Sequence, residues 1–141
     1  MSCVFCKIIN GEIPTEKVYE DETCIIFKDI EPIAPIHLLM VPKKHYARLE
    51  EATVSEAMEL SFMLNKLAQM KDELGLEKGY RLIINQGENG GQTVGHLHIH
   101  ILGGKKLSWQ AWNKIGYWQK PTKMYTFSIY LFLRGEANAK S

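Results

Sequence analysis

The stretch His96-Leu97-His98-Ile99-His100-Ile101-Leu102 alternates imidazole and aliphatic side chains, and three of the five histidines of the chain fall inside it. Alternation at a period of two is the pattern of a β-strand with two unlike faces. On such a strand His96, His98 and His100 share one face, their Cα atoms roughly 6.6 Å apart in succession. Leu97, Ile99 and Ile101 share the other, where they can anchor in a core. Neutral imidazole is a nucleophile, a proton carrier and a metal ligand near neutral pH. A strand needing only a polar surface would be served as well by Lys, Thr or Glu, so the triplet reads as chemistry.

The flanks complete a small α+β domain. Gly103-Gly104 stops the histidine strand, and Gln86 to Gly95 is a glycine-rich loop leading into it. Gly79 to Asn85 reads as the strand before that loop. Val18 to Phe27 reads as strand, turn and strand, with Glu20, Asp21 and Glu22 in the turn. Ile36 to Val41 is an apolar strand ended by Pro42, with His37 its one polar side chain. Cys24 lies in an apolar strand and reads as core. Cys3 to Asn10 is a short amphipathic opening broken by Gly11. Thr53 to Leu74 is the one long helix, opened by a Thr53/Glu56 capping box, with Gly75 as its stop. Leu60, Leu64, Leu67 and Leu74 recur at helical spacing, and Met58, Phe62, Met63 and Met70 widen the stripe. So wide a stripe fits two buried faces, one on the sheet and one on a partner chain, or a single well-covered core helix. The sum is an antiparallel sheet of about five strands with one long helix.

Composition limits the function classes. A net charge of +1 on 141 residues gives no reason to expect a nucleic-acid or membrane partner. The charge is uneven: residues 1–109 hold 12 Lys+Arg and 15 Asp+Glu, whereas residues 110–141 hold 5 and 1, together with seven of the 14 aromatics. This shift places a boundary near Trp109, between a domain over 1–109 and a basic, aromatic tail over 110–141. Within the tail, Met124 to Leu133 alternates weakly and is a candidate extra strand. No apolar run reaches the length of a membrane span and no signal peptide precedes the first cysteine. Three cysteines without an export signal fit a reducing cytoplasm.

Two further clusters carry chemistry. Cys3-x-x-Cys6 sets two thiols where one zinc ion can take both, and His45 and His96 can complete a Cys₂His₂ set. The alternative is a pair of small buried residues at a helix start. The loop from Gly87 to Gly95 is either a plain hairpin turn or a cradle of backbone N–H groups for phosphate oxygens. It delivers Gln92 and Thr93 a few residues before His98, and an anion cradle beside a nucleophilic imidazole points to phosphoryl or nucleotidyl transfer.

With these residues in view the chain resembles the histidine-triad (HIT) nucleotide hydrolases and transferases. The match runs through the triad, Phe27-Lys28-Asp29-Ile30-Glu31-Pro32, Ala34-Pro35-Ile36-His37, Pro42-Lys43-Lys44-His45, Asn85-x-Gly87 and Gly90-Gly91-Gln92-Thr93-Val94. Gly103-Gly104-Lys105 and Trp109 are similar to the Hint branch, the purine nucleoside phosphoramidases. The resemblance covers about residues 3 to 109. It implies a homodimer whose sheets join into one of ten strands. It implies His98 as nucleophile toward an α-phosphate, and His100 as the ligand of the phosphate oxygens, offsetting charge when protonated. His37 and His96 would frame the triad. Asp29 would meet the ribose, Ile30 and Asn85 the nucleoside, and Gly91, Gln92, Thr93, Val94 and Trp109 the rest of a purine nucleotide substrate. It also implies structural zinc on Cys3, Cys6, His45 and His96. The expected reaction is hydrolysis of AMP-type phosphoramidates. The alternatives are a dinucleoside polyphosphate hydrolase and a zinc-stabilised nucleotide-binding module with weak turnover. The 32 residues after Trp109 depart from the family pattern.

Overall fold

A computed structural model describes residues 3–108. Trp109 and the tail over 110–141, including the candidate strand Met124 to Leu133, lie outside the described residues.

The sheet forms because each strand segment carries two apolar faces or one. β1 (Lys17–Glu20), β2 (Cys24–Lys28), β3 (Ile36–Pro42), β4 (Arg81–Ile83) and β5 (Ile99–Gly103) make one antiparallel sheet in the order β1-β2-β3-β5-β4. β3 is central, and its partners set the faces. Leu38 opposes Ile101 and Met40 opposes Ile99, and these four pack against the helix α2 (Val54–Gln69) through Leu60, Met63 and Leu67. Leu39 opposes His100 on the other face, where Ile25, Phe27 and Val41 meet Val4, Phe5 and Ile8 of the short helix α1 (Val4–Ile9). The sheet is thus covered on both faces, with α1 supplying a second layer over the β2–β3 half.

Three expectations need correction in detail. The histidine strand starts at Ile99 and not at His96. Its ladder partner β3 ends at Pro42, which has no N–H, and Leu97 N–H instead donates to Tyr46 O at 2.8 Å. The alternation of faces nevertheless persists, since Leu97, Ile99 and Ile101 all lie in the core under α2. The long helix opens on the Thr53/Glu56 capping box but ends at Gln69, five residues before Leu74. Turns over 70–75, closed by Gly75 at φ 75°, swing the fully buried Leu76 back under the sheet. The fourth strand is shorter than Gly79–Asn85 and sits at an edge.

The β1–β2 turn depends on one carboxylate. Asp21 accepts from the N–H of Thr23 at 2.8 Å, the Thr23 hydroxyl at 2.9 Å, Cys24 N–H at 2.9 Å and the Tyr19 hydroxyl at 2.8 Å, and it pairs with Lys66 of α2. Burial opposes its charge, but Lys66 and the two backbone donors hold the carboxyl below the usual range. Asp21→Ala strands these donors and cuts the tie between turn and helix. It should lower stability by about 2–3 kcal/mol, read as a lower denaturant midpoint with an unchanged slope. A midpoint like that of the parent would show the turn to be held by packing alone.

Candidate active site

Three of the five histidines, His37, His96 and His98, are oriented by backbone groups, and their second nitrogens define the site. His98 places Nδ1 2.7 Å from the carbonyl of His96. A carbonyl only accepts, so Nδ1 carries the proton and Nε2 keeps its lone pair. The ring is 5% exposed and lies edge-on to Phe5 and His100, with centroids 5.0 and 5.2 Å away. Burial pushes the His98 pKa below the ordinary imidazole value, while the His96 carbonyl and the charge of Asp29 pull the other way.

His37 has the opposite tautomer. Its Nδ1 accepts from Ile33 N–H at 3.2 Å, so the neutral ring is protonated at Nε2. That Nε2–H lies 3.0 Å from His100 Nδ1 and 3.4 Å from Asp29 Oδ2. Donation to His100 leaves the proton of His100 on Nε2. Burial pushes His37 down to about 4. Burial, with His98 and His37 nearby, pushes His100 down to about 3. His100 is therefore a neutral N–H donor in the free protein. Asp29 accepts from Glu31 N–H at 2.9 Å, and burial raises its pKa.

His96, fully buried, faces away from this trio. Its Nε2–H donates to Pro42 O at 2.8 Å, and its Nδ1 lone pair points at Cys3 Sγ (3.4 Å), Cys6 Sγ (3.6 Å) and His45 Nδ1 (3.1 Å). Cys6 Sγ is 3.3 Å from His45 Nδ1, and all four ligand atoms lie within 4.8 Å of one another. Zinc–sulfur bonds of about 2.3 Å and zinc–nitrogen bonds of about 2.0–2.1 Å in a tetrahedron put ligand atoms roughly 3.3–3.8 Å apart. The cluster matches that spacing, and His96 donates its other N–H to a carbonyl, as metal-bound histidines do. Burial and the neighbouring Cys3 thiol push Cys6 up to about 11, an environment that a cation would relieve. Asp29, His37 and His100 also converge closely enough for a metal. There the logic fails: His37 Nδ1 is already an acceptor, so freeing Nε2 for a metal would set a proton against the N–H of Ile33.

The loop before the triad is a pinned turn. Gln92 turns its side chain inward, accepting from Gly87 N–H at 2.9 Å and donating to Ala47 O at 2.6 Å and Val94 O at 3.1 Å. The amides of Gly91 and Gln92 bond within the loop as well. At Gly90 a Cβ would fall 2.3 Å from Gln86 O, so only glycine fits. The open cradle of amides is thus not present at these positions, and Gln92 orders the loop. Thr93 is exposed, Asn85 and Val94 are half-buried, and Ile30 is 64% exposed beside Asp29. Phe5, between the two cysteines, also touches His96, with centroids 5.9 Å apart. Sequence reasoning passed over it, although an aromatic ring inside Cys-x-x-Cys was the available signal.

A family model described as the HIT domain matches residues 10–107. The chain belongs to the histidine-triad (HIT) family. It is 48% identical over 106 residues to an uncharacterized HIT-like protein of Synechococcus elongatus, covering 75% of this chain and 93% of that one. A HIT family hydrolase from Legionella pneumophila is similar in structure, with TM-score 0.72 and 43% identity over 77% of this chain and 97% of that one. A histidine triad nucleotide-binding protein from Candida albicans gives TM-score 0.65 and 32% identity over 91% and 99%. Among the described residues, no helix of this HIT protein is long and apolar enough to cross a membrane.

The buried neutral imidazoles make stability acid-sensitive. Unfolded, they take up protons near pH 6.5; folded, His37 and His96 resist to about 4 and His100 to about 3. Between these limits the unfolded state binds more protons, so stability falls as pH drops below about 6.5, by up to about 1.4 kcal/mol per pH unit for each histidine. Denaturant midpoints measured between about pH 7 and pH 5 should decline steadily. A flat profile would mean that these rings take up protons in the folded state.

Proposed function

We propose that this protein hydrolyses nucleoside 5′-phosphoramidates of the AMP type through a nucleotidyl-histidine intermediate. The observation that carries the reading is the His98 tautomer: a carbonyl at 2.7 Å occupies Nδ1, and the Nε2 lone pair is left for attack. His98 Nε2 attacks the α-phosphorus, a nitrogen–phosphorus bond forms, and the bond from phosphorus to the leaving amine breaks. The amine departs with a proton given by His100 Nε2–H, while His37 Nε2–H stays bonded to His100 Nδ1 across the 3.0 Å contact and offsets the charge left on that ring. Water then attacks phosphorus and returns a proton to His100 Nε2, AMP leaves and His98 regains its lone pair; splitting the displacement in two lowers each barrier. Asp29 would receive the ribose and Ile30 and Asn85 the nucleoside, with Thr93 and Val94 on the phosphate and leaving-group side. Trp109 belongs to the same substrate-binding set by resemblance alone, as do Gly91 and Gln92, whose own bonds order the loop.

The chain would hold one zinc ion on Cys3, Cys6, His45 and His96, where it supplies structural cross-linking. The catalytic unit would be residues 1–109, acting in the cytoplasm, with 110–141 an added element outside the chemistry. Relatives described as a hydrolase and as a nucleotide-binding protein support this reading.

Removing the nucleophile should abolish turnover and spare binding. His98→Ala should lose at least about a thousandfold in AMP release from an AMP phosphoramidate, with nucleotide affinity close to that of the parent. Activity within about tenfold of the parent would reject His98 as nucleophile. Diadenosine polyphosphates assayed in parallel decide between phosphoramidase and polyphosphate hydrolase.

The unit should also be a homodimer. Val54, Met58 and Phe62 recur every fourth residue on α2 and are 80%, 57% and 67% exposed, and Leu82 on the edge strand β4 is 37% exposed. A two-fold axis lets this stripe and edge cover their own copies. Phe62→Asp should then shift the mass by light scattering from about twice 16.2 kDa to that of one chain. A parent that already runs as a monomer at micromolar concentration would refute the dimer.

A further inference from the structure

One peptide unit links the metal-ligand cluster to the proposed nucleophile. The peptide between His96 and Leu97 accepts from His98 Nδ1–H through its carbonyl at 2.7 Å and donates its N–H to Tyr46 O at 2.8 Å. Each end of that arrangement borders a ligand. His96 is itself in the cluster, and Tyr46 follows His45 directly in sequence. Because β5 begins only at Ile99, no sheet ladder holds the peptide in place. A third tie comes from α1. Cys3 caps it and Cys6 lies in its first turn, while Phe5 between them lies edge-on to both His96 and His98, with centroids 5.9 and 5.0 Å apart.

We infer that metal binding by Cys3, Cys6, His45 and His96 sets the tautomer and aim of His98 through the His96–Leu97 peptide, so that these four are positioning residues for the nucleophile. The inference rests on the reading of His98 as nucleophile. A metal on His45 and His96 clamps the two chain segments that flank the peptide, and on Cys3 and Cys6 it seats Phe5 against the imidazole. Without the metal, half-buried Cys3 and Cys6, exposed His45 and buried His96 are joined only by thiol–imidazole and imidazole–imidazole contacts, and the segment 96–98 loses the clamp on its flanks. The His98 ring is then free to exchange tautomers and to turn, and the attacking lone pair is present and aimed only part of the time. Partners one step removed from a reacting or ligating group typically matter by ten- to a hundredfold.

The test compares the full chain purified with zinc, its stoichiometry fixed by elemental analysis, with the same chain stripped by a chelator. Nitrogen-15 histidine spectra report the tautomer, with His98 resonances assigned by their loss in His98→Ala. The loaded protein should show a single His98 tautomer with a slowly exchanging Nδ1 proton. The stripped protein should show averaged tautomers, and kcat should fall about ten- to a hundredfold while KM moves less than about twofold. A stripped protein with unchanged far-ultraviolet circular dichroism that keeps the Nδ1 proton and its kcat overturns the inference, as does a protein that takes up no zinc. If stripping unfolds the chain, His45→Gln, which leaves three ligands, takes its place. An unchanged His98 signal in that zinc-loaded variant is equally fatal, and a loosened one supports the link. Absence of phosphoramidate turnover in the loaded protein would defeat the hydrolase reading, while the spectra still decide the coupling.

Discussion

The hydrogen bond from His98 Nδ1–H to the carbonyl of His96 is the constraint on which the site depends. Neutral imidazole has one donor and one acceptor nitrogen, and nothing in an isolated ring chooses between the two tautomers. The protein chooses by setting backbone groups, whose polarity cannot change, against one nitrogen of each ring. A carbonyl faces His98 Nδ1, another faces His96 Nε2, and an N–H faces His37 Nδ1. From these contacts the proton on each remaining nitrogen follows, and so does its capacity for attack, ligation or donation.

Burial makes the choice hold. Both faces of the sheet are covered, α2 over Leu97, Ile99 and Ile101 and α1 over the side of the imidazoles. Removing water disfavours the charged rings, so His37, His96, His98 and His100 all titrate below ordinary imidazole. A doubly protonated ring would have no lone pair for attack or ligation. The same layer that stabilises the fold therefore keeps the rings chemically competent, at the cost of stability in acid.

The sequence made the architecture readable where the cause of structure is local. The five strands, the capping box at Thr53 and Glu56, and the opposed faces of the triad segment follow from periodicity and short-range hydrogen bonds. The four-residue cluster of Cys3, Cys6, His45 and His96 was also legible, because each residue type has few other uses at such positions. What escaped depended on contacts between distant segments. The start of β5 is set by Pro42 across the sheet, and the end of α2 by the need to return Leu76 to the core. Gln92 carries polarity that suits a substrate, yet its amide meets Ala47, 45 positions away. The charge state of His100 depends on how deeply its neighbours bury it, which no motif encodes.

Equivalent positions on one face thus do unequal work. A period of two gives His96, His98 and His100 the same orientation from the sheet, and periodicity alone would make them interchangeable. Their differences come from what stands behind each ring: the carbonyl at the end of β3 for His96, the preceding peptide for His98, a second histidine for His100. The first ring turns its lone pair to the cysteines, the second toward the open site, and the third offers a proton there. The motif supplies three rings in a row. The loop after β3 and the entry to β5, where the ladder stops and backbone groups become available to side chains, assign their roles.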